Sequence, residues 1–100
     1  MQRLTQATAR TLATLLQSPR SWRHGYDLMK ESDVASGTLY PLLDRLLSDK
    51  WLETRWEDSP LPGRPRRHLY RLTVLGRSEA LRALEALPRA RVLKFGLSPS

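Results

Sequence analysis

Cysteine is absent from the 100 residues, and histidine occurs only twice. Without a thiol there is no disulfide, no thiolate metal site and no cysteine nucleophile. His24 and His68 fall in different predicted elements, so no pair of histidines one helical turn apart is on hand to hold a metal. No apolar run approaches the roughly 18–20 residues that span a bilayer. The opening Met1-Gln2-Arg3-Leu4-Thr5-Gln6 is too polar for a secretory signal. Neither a G-x-S-x-G elbow nor a phosphate-cradling glycine loop occurs. Asp27 and Glu31 share a helix face, but surface carboxylates of this kind ordinarily pair with neighbours, here Arg23 and Lys30. The expectation is a small cytoplasmic binding domain that is not an enzyme and carries no cofactor.

Acidic residues are also scarce: 10 against 17 Lys and Arg, a net charge of +7. The second half carries most of that excess, which favours a polyanionic partner. The length suits one domain, predicted over residues 1–88, with a basic, Gly/Ser/Pro-containing tail over 89–100.

Leu4, Leu12, Leu15 and Leu16, with Ala7 and Thr8 between them, follow a helical stripe over about residues 3–17, stopped by Ser18-Pro19. A second helix is predicted from Ser21 as N-cap to Glu31, with Trp22, Tyr26 and Met29 as its apolar face. Gly25 inside it costs about 1 kcal/mol against alanine, which suggests that another backbone approaches closely there. Residues 32–35 read as a short turn. Leu39, Leu42, Leu43, Leu46 and Leu47 then cover an arc of roughly 140° on a third helix. Pro41 is compatible with that helix if Gly37 or Thr38 caps it, because a first-turn proline loses no hydrogen bond.

After Asp49-Lys50 the period falls to two. Leu52, Thr54 and Trp56 alternate with Trp51, Glu53 and Arg55, and His68, Tyr70 and Leu72 alternate with Leu69 and Arg71. Between these strands lies a loop with three prolines and a glycine. Thr73 can cap a last helix through about Leu87, with Val74, Leu81, Leu84 and Leu87 on one stripe that a second copy of the chain would bury, unless it packs across the first helix. The fold class expected is mainly α with a small β-hairpin, in the order α-α-α-β-β-α of a winged helix-turn-helix.

Two polar surfaces stand out. On the third helix, Ser36, Thr38 and Tyr40 bring hydroxyls to the helix start, where anions are favoured, and Arg45 lies within reach of a guanine edge or a phosphate. The alternative is a solvated face with Arg45 paired to Asp49, and Asp44 argues mildly for it. In the loop, Arg64, Arg66, Arg67 and Arg71 fall within eight residues free of acids; arginine suits phosphate forks and narrow minor grooves, while the bland reading is a solubilising edge. Trp22, Trp51 and Trp56 read more readily as packing than as base-stacking platforms.

With these motifs in view, the chain resembles the PadR family of bacterial transcriptional regulators. The matching segments are His24-Gly25-Tyr26-Asp27-Leu28, then Ser36-Gly37-Thr38-Leu39-Tyr40-Pro41-Leu42-Leu43-x-Arg45-Leu46, then Trp51-Leu52-Glu53, and finally Gly63-Arg64-Pro65-Arg66-Arg67-x-x-Tyr70-x-Leu72-Thr73-x-x-Gly76. The resemblance implies a homodimer held by its terminal helices that binds double-stranded, pseudo-palindromic operator DNA, usually as a repressor. It implies that Ser36, Thr38, Tyr40, Pro41 and Arg45 enter the major groove and that Arg64, Arg66 and Arg67 lie on the flanking backbone or minor groove. Among family members the chain is similar to the short subclass without a long C-terminal domain. Some short members bind flat aromatic drugs between tryptophans of the fourth helix; that helix here has no tryptophan, so any small-molecule effector is unknown. The competing class is a winged-helix protein–protein interaction module that uses the wing to dock a partner and does not read DNA. A membrane-surface helix fits poorly, because the charge clusters on a loop rather than along a helical face.

Overall fold

The computed structural model describes residues 4–58, 62–63 and 65–87. The predicted tail over 89–100 and Arg64 lie outside the described residues. Among the latter, four helices and three short strands follow one another: α1 (Gln6–Gln17), β1 (Arg23–His24), α2 (Gly25–Ser32), α3 (Ser36–Ser48), β2 (Leu52–Trp56), β3 (His68–Leu72) and α4 (Val74–Glu85). The winged helix-turn-helix order is present, with one strand more than expected.

α1 begins at Thr5, whose hydroxyl accepts from the Thr8 amide at 3.1 Å. Its buried face mixes Leu12 and Leu15 with Thr8, Thr11 and Thr14. The last two threonines are admitted because each hydroxyl donates back to a carbonyl one turn earlier, Ala7 and Arg10, both at 2.8 Å.

The second helix departs from expectation. Ser21 does not cap it; the chain first runs extended through Arg23 and His24, which pair antiparallel with Tyr70 and Leu69 of β3. His24 then occupies the N-cap position of α2. The buried residues of α2 are Gly25, Leu28 and Ser32, with Met29 packed against the core; of the expected Trp22–Tyr26–Met29 face, Tyr26 is instead 56% exposed and Trp22 lies before the helix. A two-residue strand has no alternation to detect, so local pattern does not separate Arg23 and His24 from the helix that follows.

Asp33, in the left-handed region at φ 57°, ends α2, and the Val34 amide bonds back to Met29 at 3.3 Å. Val34 is buried and pins the turn to the core. α3 starts at Ser36 after Ala35, earlier than the Gly37 or Thr38 cap predicted. Pro41 therefore lies in the second turn and leaves the Gly37 carbonyl without its intrahelical donor. The loss is tolerable because Gly37 is exposed to water.

Leu39, Leu42, Leu43 and Leu46 are buried in the central cluster with Leu12, Leu15, Leu28, Leu52, Tyr70 and Leu72. Each buried leucine contributes about 2 kcal/mol, so the inner face of α3 fixes how its outer face is presented. The sheet order is β1-β3-β2, with Leu52 opposite Leu72, Thr54 opposite Tyr70 and Trp56 opposite His68.

One junction welds the sheet to α4. The Thr73 hydroxyl accepts from the Gly76 amide at 2.9 Å and reaches the Lys50 carbonyl at 2.6 Å, while the Thr73 amide donates to the Trp51 carbonyl at 2.9 Å. The predicted stripe on α4 divides: Val74 and Leu81 are 79% and 46% exposed, but Leu84 leans on the core beside buried Ala80. Leu87, past the end of the helix, is half-buried.

Candidate nucleic-acid interface

α2, the turn at 33–35 and α3 form the helix-turn-helix, and the exposed side of α3 is opposite its leucines. Ser36, Thr38, Tyr40, Pro41 and Arg45 all lie on that exposed side. Tyr40 is only 43% exposed, because its ring reaches back over the start of α2. A Cβ placed on Gly25 would meet the Tyr40 hydroxyl at 2.7 Å. The close approach inferred at Gly25 is therefore real, but the approaching group is a side chain of α3 rather than a backbone.

Across from α3 stands the hairpin of β2 and β3. Between the two runs an open groove of about 840 Å³, floored by His24, Gly25 and Tyr70 and flanked by Tyr26, Asp27, Tyr40, Trp56, Arg66, Arg67 and His68. Arg66 and Arg67 are exposed on its wing side. The structure thus brings Tyr40 together with two of the three predicted wing arginines; Arg64 lies outside the described residues. Trp56 is 54% exposed and packs its ring against His68 at 3.9 Å between centroids, with His68 edge-on to Tyr70 at 6.2 Å. Burial, with Tyr40 and Asp44 close by, pushes the Tyr70 hydroxyl above its ordinary titration range.

At the root of the wing His24 Nε2 lies 3.6 Å from Glu57 Oε2, and the Glu57 amide donates to the Arg67 carbonyl at 2.8 Å. Two of the hairpin's acids are thus occupied inside the fold: Glu57 faces His24, and Glu53 accepts from Arg71. Among the described residues of the loop, exposed Arg66 and Arg67 outweigh the one exposed acid, Asp58. Sequence reasoning missed His24, Tyr26 and Trp56 at the groove, and assigned His68 no role. Pairing Trp56 with His68 across the hairpin was the available signal, since the cross-strand register puts both on the side facing α3.

The model of the transcriptional regulator PadR-like family matches residues 12–82. The chain belongs to the PadR family. No curated protein matches it. Among solved structures, a PadR-like transcription factor from Bacteroides fragilis is similar at 28% identity and a TM-score of 0.63, over 88% of this chain and 85% of that one. A PadR-like transcriptional regulator from Bacillus cereus is similar at 22% identity and 0.66, over 89% and 87%. A point mutant of MepR, from a multidrug-resistant Staphylococcus aureus clinical isolate, shares the fold at 20% identity and 0.67, over 95% of this chain and 67% of that one. As a PadR-family member the chain is a winged-helix DNA-binding transcriptional regulator and not an enzyme. No helix among the described residues is long and apolar enough to cross a membrane.

Proposed function

We propose that this PadR-family protein is a cytoplasmic homodimeric repressor that reads a pseudo-palindromic operator. Ser36, Thr38, Tyr40, Pro41 and Arg45 of α3 enter the major groove, and Arg64, Arg66 and Arg67 of the wing grip the flanking backbone or minor groove. The observation that carries this reading is the placement of Arg66 and Arg67 across one groove from Tyr40. Helix and wing then present hydroxyls and guanidiniums side by side, with the leucines behind α3 holding it rigid. Val74 and Leu81 supply the exposed apolar surface for a second copy, whose paired helix would meet the second half-site.

Selection of bound sequences from a random duplex pool tests the reading. The expected product is a motif with two inverted half-sites about one helical turn apart. The affinity for it should fall with salt at a log–log slope near −0.9 per phosphate neutralised. Enrichment of no motif, with binding to any duplex weaker than about 10⁻⁴ M at low salt, would favour a protein-docking wing instead.

A further inference from the structure

The hairpin has two faces, and only one looks into the groove. Trp56, His68 and Tyr70 share the groove side, while Arg55, paired with Leu69, and Glu53, paired with Arg71, share the other. On that outer face the indole of Trp22 meets two guanidiniums: the Arg55 Cζ lies 4.7 Å and the Arg71 Cζ 4.3 Å from its centroid. The two cations are not equivalent. Arg71 donates to Glu53 through Nε at 3.1 Å and again through Nη2, so its charge is answered within the sheet. Arg55 is exposed and, among the described residues, no carboxylate pairs with it.

We propose that Arg55 is a further contact to the DNA backbone, made from the outer face of the wing, and that Trp22 is the residue that positions it. The inference rests on the wing meeting DNA, and extends that contact to a face and to residues outside the recognition helix and the arginine loop. Arg55 precedes Glu57, whose amide holds the Arg67 carbonyl, by two residues, about 7 Å along the blade. A two-stranded blade lying along a minor groove about 6 Å wide has phosphates on both sides. Cations on both of its faces therefore find partners. An arginine stacked on an indole keeps its N–H edge open to phosphate oxygens. It is also already ordered, so binding costs less side-chain entropy than for a free one. Burying a paired arginine such as Arg71 would gain nothing comparable.

The test uses the full chain and a mixed-sequence duplex titrated over a salt series. Arg55→Ala and Arg55→Gln should each lower the log–log slope by about 0.9 and weaken binding several-fold at low salt, while Arg55→Lys retains the slope. Trp22→Leu should weaken binding less than Arg55→Ala, and its effect should vanish in the Arg55→Ala background, with thermal melts reporting that each variant is folded. In 5-fluorotryptophan protein, the Trp22 fluorine resonance, assigned through Trp22→Phe, should shift on saturation with duplex. An unchanged slope in folded Arg55→Gln overturns the contact. A Trp22→Leu effect that persists in full without Arg55 overturns the positioning role. Failure of the wild type to show salt-dependent duplex binding would remove the underlying reading as well, and is seen before any variant is made.

Discussion

At Gly76 a methyl group would lie 1.8 Å from the Trp51 carbonyl oxygen. That oxygen is held by the Thr73 amide, so neither side of the clash is a flexible tip. Gly76→Ala should therefore cost about 3 kcal/mol, the upper end of the range usual for overpacking, read from the shift in urea midpoint. Gly25 makes the contrast: its obstacle is the far end of the Tyr40 ring, which can swing away, so alanine there disturbs the groove more than the fold. Tyr70 carries a pH signature. Its folded-state value is raised, chiefly by burial and then by Tyr40 and Asp44. The stability it contributes is complete below the unfolded tyrosine value near 10 and is lost as pH rises through the folded value. Tyr70→Phe should flatten that alkaline fall in stability, followed by thermal melting across the alkaline range.

At the scale of elements, α3 is a rigid bar with a leucine underside and a polar top. Its amphipathic pattern is strong enough to survive a proline in the second turn, since the missing amide leaves only an exposed carbonyl behind. In the proposed complex, rigidity decides how its side chains act on DNA. Arg45→Ala should weaken operator binding more than binding to random duplex, by about 1–3 kcal/mol if a base contact is lost. Equal losses on both would mean that the helix does not read sequence through Arg45. The wing behaves differently, because Arg66 and Arg67 sit on irregular chain beside Gly63 and Pro65. Replacing either by alanine should weaken both duplexes alike and flatten the salt slope by about one unit.

For the whole molecule, the proposed homodimer turns on α4. Leu84 packs inward, so a charge there would disturb the monomer's own core and report little about association. Leu81 is exposed on the outward side with Val74. Leu81→Glu should give a folded monomer, seen by sedimentation, because a carboxylate buried in an interface without a partner is costly. Operator affinity should fall with it, since two half-sites would no longer be gripped together. A wild-type chain that sediments as a monomer at high micromolar concentration would remove the homodimer from the proposal.

Much of this protein is legible in its residues because much of it is periodic. The five leucines of α3, the Thr73 cap, the switch to period two after Lys50 and the arginine-rich loop each follow from local chemistry, and the family motifs ride on them. Local chemistry does not reach the features made by contact between distant segments. β1 is two residues long and forms where β3 offers Arg23 and His24 an edge, so that α2 starts only at Gly25. The aromatic groove arises when Tyr40, Trp56 and His68, from three elements, converge over Gly25. The inward turn of Leu84 follows from where α4 is anchored by Gly76 against Trp51, a constraint between residues 25 positions apart. Periodicity tells a segment which of its faces is apolar; only packing decides which partner that face meets and which polar groups are left pointing at the same place.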